Sequence, residues 1–315
     1  VTTLLLTGAT GFLGHHALDY FLKETDYHIV CVIRNISKRL QWVIDSHPDF
    51  ADRVDLVQKL PTTIAIDYIV HCAANAQVGD TLQDPLKAVE DNVVLTANML
   101  EYAHTSKNLK RFIYVSSGEV YGPNVNNDSW TEQDPLNCRS PYSGTKAAGE
   151  MLVSAWAQSY KIPCTILRAQ NIYGARQLPG KFFSLVVRSI LQQETITLHG
   201  DHNGNTDQRA WLHVEDCAQA IQFLLYSPLN GFVDTYNLGG DSEQPLLTTA
   251  QYISQLFGQD LRYEVKSADR PGHGARYSVS NKKILAAGFE PKYTGTSGIE
   301  QFVQWSSQHT EWLQQ

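Results

Sequence analysis

The sequence predicts an α/β protein: a doubly wound parallel sheet followed by a smaller, mixed α/β C-terminal part. Three observations carry this. Short apolar runs rich in β-branched residues alternate with helical stretches from residue 3 to residue 167. A glycine-rich turn follows the first of these runs directly. The 315 residues are 43% hydrophobic and 18% charged, enough apolar mass for covered sheet faces and too little charge for a disordered chain or a coiled coil. Alternating strands and helices bury a parallel sheet on both sides, the Rossmann-type arrangement.

The elements follow in order. Residues 3–6 are a strand, and 15–23 a helix with Ala17, Leu18, Phe21 and Leu22 on one face. Residues 28–33, 54–57, 68–72 and 111–116 are four further strands. A helix over 85–105 precedes the last of them, and a helix over 145–160 leads to a sixth strand at 164–167. After Gly174 the rhythm changes. Residues 182–193 read as a helix, 195–198 as a strand and 201–207 as a polar turn. Short extended runs at 211–214 and 236–238 surround a helix at 214–226. The remainder mixes helices with Pro- and Gly-rich loops. We therefore expect residues 1–174 and 208–240 to form a dinucleotide-binding domain and residues 175–207 and 241–315 a substrate-binding one. No linker separates them, so a shared cleft is expected.

Composition excludes several classes. With 25 Lys plus Arg against 32 Asp plus Glu, the net charge of −7 does not suit a nucleic-acid or anionic-membrane binder. No apolar run approaches the roughly 18 residues of a membrane span, and Leu4-Leu5-Leu6 is interrupted too soon for a secretory signal. The chain opens on Val1, compatible with a processed or trimmed start. Five scattered cysteines without a C-x-x-C pair read as reduced cytoplasmic thiols. The eleven histidines form no metal-ligand spacing, so no metal is expected.

The first chemical motif is Thr7-Gly8-Ala9-Thr10-Gly11-Phe12-Leu13-Gly14, between the first strand and the first helix. Glycines let the backbone approach a pyrophosphate, and the helix N-terminus presents unpaired N–H groups to it. About 20 residues on, where an acidic residue would bind the NAD ribose, stand Arg34 and Asn35, with Lys38 and Arg39 close by. A guanidinium there suits a 2′-phosphate, which favours NADP over NAD.

The second motif is Tyr142-x-x-x-Lys146. Four residues apart on a helix, the two share a face. The ammonium lowers the phenol pKa, and the tyrosinate takes a proton from a substrate hydroxyl as hydride leaves the carbon. Ser116 and Ser117 end the preceding strand, where a hydroxyl reaches the same oxygen.

With these residues the sequence resembles the extended short-chain dehydrogenase/reductases that act on nucleotide sugars. The resemblance rests on the glycine turn, Ile69-Val70-His71-Cys72-Ala73-Ala74, Asn92, Ser116 to Gly122, the Tyr142/Lys146 pair and Asn171-Ile172-Tyr173-Gly174. Arg209 to Asp216, Asn237 to Gly240 and Asp269-Arg270-Pro271-Gly272-His273 look most like the nucleoside-diphosphate-sugar 4,6-dehydratases, the dTDP-glucose enzymes in particular. It implies a tightly held NAD(P) bound by Gly8, Thr10, Gly11, Phe12, Leu13, Arg34, Asn35, Ala73, Ala74, Asn92, Tyr142 and Lys146. It implies Tyr142, Lys146, Ser117 and Glu119 as catalytic residues, with Glu119 removing the C5 proton once C4 is a ketone. Gln77, Asn171, Lys181, Arg209, Arg270 and His273 would hold the substrate, an NDP-hexose of the dTDP-glucose or UDP-glucose type first and the GDP-mannose type next. A homodimer is also implied.

Departures from the dTDP-glucose pattern stand at Gly118, where that family has Asp, at Asn75-Ala76-Gln77, at Ala210 and at Lys59-Leu60. An epimerase or a UDP-uronate decarboxylase of the same fold remains the alternative. A non-catalytic NADP-binding module is the remote one. Its mark would be a broken Tyr/Lys pair.

Overall fold

The structure, a computed structural model, describes every residue except Val125, Asp269 and Gln315. Asp269, the first residue of the Asp269 to His273 block, thus lies outside the described residues. Six strands come first: β1 (Thr3–Thr7), β2 (His28–Val32), β3 (Val54–Val57), β4 (Tyr68–His71), β5 (Arg111–Ser117) and β6 (Cys164–Ala169). Then come β7 (Ile172–Tyr173), β8 (Thr195–His199), β9 (Gln208–Ala210), β10 (Leu212–His213), β11 (Val233–Leu238), β12 (Glu243–Pro245), β13 (Arg262–Lys266) and β14 (Arg276–Tyr277). One parallel sheet runs in the order β11-β6-β5-β4-β1-β2-β3. Strand order reverses at β1, between β2 and β4, and ligands of such sheets bind in the crevice at the carboxyl ends there.

The helices are α1 (Phe12–Glu24), α2 (Lys38–Ser46), α3 (Phe50–Arg53), α4 (Val78–Gln83), α5 (Pro85–Val89), α6 (Leu95–Thr105), α7 (Pro141–Tyr160), α8 (Phe182–Gln192), α9 (Val214–Tyr226), α10 (Leu246–Phe257), α11 (Lys282–Ala286) and α12 (Ser297–Gln308). Alternation along β1 sends Leu4 and Leu6 to one face, with Leu18 and Phe21 of α1 and Ile221 of α9. Leu5 goes to the other, with Leu100 of α6 and Val153 of α7. Each fully buried Leu contributes about 1.5–3 kcal/mol, and no face is left to solvent.

Three helices differ from the sequence reading. α1 starts at Phe12, because the glycine turn is itself the helix entrance. The helix read over 85–105 is interrupted by a π-turn at Glu90–Val94, which widens the backbone around Asn92. α7 starts at Pro141, not at 145: Ser140 and Ser143 form a reciprocal capping box and Pro141 takes the first turn, where its missing N–H costs nothing. Tyr142 is therefore in the first turn of α7.

A third apolar cluster joins α8, α10 and α12 around Tyr173, Phe183 and Phe302, with Tyr173 stacked on Phe183 at 4.1 Å. The β8–β13 pair and the β12-β9-β14 sheet belong to this smaller part. The β7–β10 pair follows directly on β6, so the smaller part faces the carboxyl edge of the large sheet.

Candidate active site

The glycine turn is shaped by close approach. Gly8 has φ +80°, and a Cβ there would lie 2.7 Å from the Ala73 nitrogen after β4. A Cβ on Gly14 would lie 2.0 Å from the Gly8 oxygen, so α1 rests directly on the turn. Gly11 is the N-cap of α1 and makes no side-chain cap bond. The first-turn N–H groups therefore face an open cradle, which fits the diphosphate of a dinucleotide. The turn opens on a cleft of about 670 Å³. Gly8, Gly11, Phe12, Leu13 and Ala74 line it.

The other residues expected around the dinucleotide are placed differently. The Thr10 carbonyl accepts from the Ser37 hydroxyl at 3.0 Å, and the Ala73 N–H donates to Thr7 Oγ1 at 3.2 Å. Asn92 is buried and its amide joins the Asn75 backbone, at 2.6 and 3.1 Å, to Thr145 Oγ1 of α7 at 2.9 Å. It anchors the loop after β4 to the helix that carries Tyr142. Arg34 and Asn35 are exposed beyond β2. Lys38 lies 4.4 Å over the Trp312 ring and Arg39 donates to the Arg176 carbonyl, so both side chains are engaged elsewhere.

Ser117 ends β5, and the 3-10 turn Gly118–Tyr121 projects Glu119 beside it. Ser117, Glu119, Tyr142 and Lys146 all line the cleft. α7 is held to the sheet by Glu150, fully buried, which accepts from Ser116 Oγ at 2.5 Å and Arg168 Nη2 at 2.6 Å. Arg168 belongs to β6 and also donates to the Tyr121 hydroxyl. A buried carboxylate bonded on this many sides fixes the helix in rotation.

The electrostatics follow from burial. Desolvation brings Lys146 down to about 8, against the raising influence of Glu150 and Cys72. Its ammonium lies 4.2 Å over the Tyr114 ring. The Tyr142 phenol is raised, first by burial and then by the Glu119 charge, with the Ser117 hydrogen bond opposing. This corrects the sequence expectation of a phenol acidified by Lys146: among the protein's own groups the net push is upward, because desolvation outweighs everything else. Burial also raises Glu119, while Arg270, Lys181, Arg209 and His273 lower it. The Glu119 carboxylate is thus set among the positive charges of Arg270, Lys181 and Arg209.

Gln77, Asn171, Lys181 and Arg270 line the cleft with it. Gln77 caps α4 and Lys181 caps α8. Asn171 holds φ +51° two residues after the end of β6. Arg209 and His273 sit deeper, both on Asp207.

Several residues escaped the sequence reading. Asp80 lies in the cleft and, after Glu119, partly opposes the burial that lowers Lys181. Phe182 and Trp211 stack at 5.0 Å across the cleft wall, so Trp211 faces ligand space as well as core. Asp207, His199 and His273 converge with ligating atoms within 4.8 Å of one another, although no His spacing announced it. Arg209 and Arg270 crowd the same group, which disfavours a further cation there. The Asp207-x-Arg209 pattern was the one local signal for it.

A doubly wound sheet with a glycine cradle at its switch point and a Tyr/Lys pair facing it defines a dinucleotide-dependent enzyme of the short-chain dehydrogenase/reductase type. Residues 4–239 match the NAD dependent epimerase/dehydratase family, and the chain belongs to it. It is 30% identical to dTDP-glucose 4,6-dehydratase of Haemophilus influenzae, over 96% of this chain and 97% of that protein. It is 31% identical to a trifunctional UDP-glucose 4,6-dehydratase/UDP-4-keto-6-deoxy-D-glucose 3,5-epimerase/UDP-4-keto-L-rhamnose-reductase of Arabidopsis thaliana, over 98% of this chain. The chain spans about half the length of that plant relative (47%). Among solved structures, the dTDP-glucose 4,6-dehydratase DesIV of Streptomyces venezuelae, with NAD and TYD bound, superposes with TM-score 0.86 at 27% identity. It is covered over 99% of this chain and 98% of that one. Sugar-nucleotide epimerases share the fold as well.

Proposed function

We propose that the protein is a nucleoside-diphosphate-sugar 4,6-dehydratase, converting an NDP-hexose to the NDP-4-keto-6-deoxyhexose. The observation that carries this is Glu119, set in the cleft beside Tyr142 and Ser117 and surrounded by Lys181 and Arg270. The glycine cradle, Tyr142 and Lys146 would hold a nicotinamide dinucleotide, which when bound takes hydride from C4 and returns it to C6. Tyr142 accepts the C4 hydroxyl proton and Ser117 hydrogen-bonds O4. Lys146 would hold the nicotinamide ribose. The C4 ketone acidifies C5, and Glu119 removes that proton. Now a carboxylic acid, Glu119 hands it to the C6 hydroxyl, which leaves as water; C5 then takes a solvent proton by way of Glu119, and Tyr142 releases the C4 hydroxyl proton to solvent. Gly118 has no side chain to do this instead.

Arg34 decides between the dinucleotides. Removing its guanidinium should cost NADP affinity and leave NAD affinity unchanged, as titration of an Arg34→Ala variant would show. We propose that segments 1–174 and 208–240 hold the dinucleotide and segments 175–207 and 241–315 the sugar nucleotide. A homodimer through α5, the π-turn that carries Asn92, and α7 is supported by exposed Leu86, Val89, Val94 and Met151, and sedimentation would test it. Cytoplasmic placement is supported by the five free thiols. No helix among the described residues is long and apolar enough to cross a membrane.

The decisive experiment incubates purified protein with dTDP-, UDP-, GDP- and CDP-hexoses and follows products by mass spectrometry. Loss of one water with no net consumption of dinucleotide is expected. An isomer of unchanged mass would identify an epimerase, and release of CO₂ from a UDP-uronate a decarboxylase.

A further inference from the structure

Of the two arginines expected to hold the substrate, Arg209 and Arg270, only Arg270 lines the cleft. Arg209 Nη1 donates to the carbonyls of Gln208 at 2.7 Å and Ala275 at 2.9 Å. Its Nη2 donates to the Gly274 carbonyl at 3.2 Å and Asp207 Oδ2 at 3.4 Å. The plane lies 5.0 Å over the Tyr277 ring. Arg209 is thus a clamp that fastens residues 274–277 onto β9.

Arg270 does line the cleft. Its guanidinium Nη2 lies 3.5 Å from His273 Nδ1. The other ring nitrogen, Nε2, lies 2.5 Å from Asp207 Oδ2. A carboxylate only accepts, so Nε2 carries the proton and Nδ1 presents its lone pair to Arg270. Asp207 is itself fixed. It is 5% exposed, its N–H donates to the His199 carbonyl, and its carbonyl accepts from Leu246. The His273 N–H closes a turn onto the Arg270 carbonyl at 3.1 Å, which keeps both residues in one rigid corner.

We propose that Asp207 and His273 are positioning residues: Asp207 sets the tautomer of His273, and His273 aims the Arg270 guanidinium into the cleft at the diphosphate of the nucleotide sugar. This rests on the reading of the cleft as a nucleotide-sugar site. Without the imidazole acceptor, Arg270 has many rotamers to lose on binding. Neither positioning residue touches the reacting carbons, so the effect falls on affinity and not on chemistry.

The test is a double-mutant cycle read by calorimetry with UDP, dTDP and GDP, together with steady-state turnover. His273→Gln keeps a bond to Asp207 and removes the acceptor from Arg270. It should weaken the nucleoside diphosphate and raise KM about tenfold, with kcat within about threefold. In an Arg270→Ala background the same change should have no further effect. His273→Asn places an amide oxygen near the Nδ1 position and should restore part of the affinity. Asp207→Asn, which keeps an acceptor and perturbs the fold least, should fall between wild type and His273→Gln. Equal losses from His273→Gln with and without Arg270 would overturn the inference while leaving the nucleotide site intact. A wild-type protein that binds none of the three diphosphates would overturn the nucleotide-sugar reading itself, and this inference with it.

Discussion

Four buried histidines make stability steeply dependent on pH. His15, His16, His71 and His213 are each no more than 3% exposed. His15 and His16 are held well below 6.5, first by burial, then by the neighbouring Arg176 for His15 and by His15 and Arg176 for His16. Burial, reinforced by Lys146, brings His71 to about 3, and burial brings His213 to about 4. A ring whose folded pKa is depressed stays neutral in the native state while the unfolded chain takes up a proton. Stability is therefore fully present above the unfolded value of 6.5 and falls as the pH drops below it. The folded values do not enter the sum as long as they lie below the assay pH. Lowering the pH to 5 costs about 2 kcal/mol per ring, about 8 kcal/mol for the four.

Asp216 opposes this. Burial raises it to about 6, so the native state binds its proton first and regains about 1 kcal/mol at pH 5. Glu119, also raised, works in the same direction. The net is two to three protons, against a total stability of the order of 5–15 kcal/mol. Urea unfolding at half-unit steps from pH 7.5 to 5.0 measures it. Between pH 6 and 5 the unfolding free energy should fall by about 3–4 kcal/mol. A slope below that of a single proton, about 1.4 kcal/mol per pH unit, would refute the reasoning.

Three further outcomes are expected. Tyr142→Phe removes the hydroxyl proposed to accept the C4 proton, so turnover should fall about 10²–10⁴-fold with dinucleotide affinity retained, by stopped-flow and fluorescence titration. Glu119→Gln should abolish solvent deuterium incorporation at C5 while C4 oxidation still shows in the absorbance of reduced dinucleotide; undiminished exchange would assign the C5 base elsewhere. Glu150→Ala leaves Arg168 buried without its carboxylate and frees α7, and should cost about 3–5 kcal/mol in chemical denaturation.

The first six strands of the large sheet were legible because each is a short apolar run between turn residues, and a strand's pattern is local; of β11, whose first half is mostly polar and half-buried, only residues 236–238 were read. The glycine cradle was legible for the same reason: Gly8, Gly11 and Gly14 act within one turn. Helix starts were less so. Ser140-Pro141 announces the entrance to α7, yet apolar periodicity begins only later, and the π-turn around Asn92 has no periodic mark at all. The Tyr142/Lys146 pair could be read from spacing, but the state of its phenol could not, since desolvation depends on what covers it.

By itself the sequence determined the alternation that makes a parallel sheet, the glycine turn between β1 and α1, and the choice of Tyr142, Lys146, Ser117 and Glu119 as candidate site residues. Those features live within a few residues of chain, where backbone geometry and hydrophobic period do the specifying. The tertiary structure alone decided which charges meet. Glu150 finds Arg168 across 18 residues, and Asp207 finds His273 across 66. It turned Arg209 inward onto carbonyls and left Arg270 in the cleft. Coulomb and desolvation energies depend on distance and burial in space, and neither is written in the order of the residues.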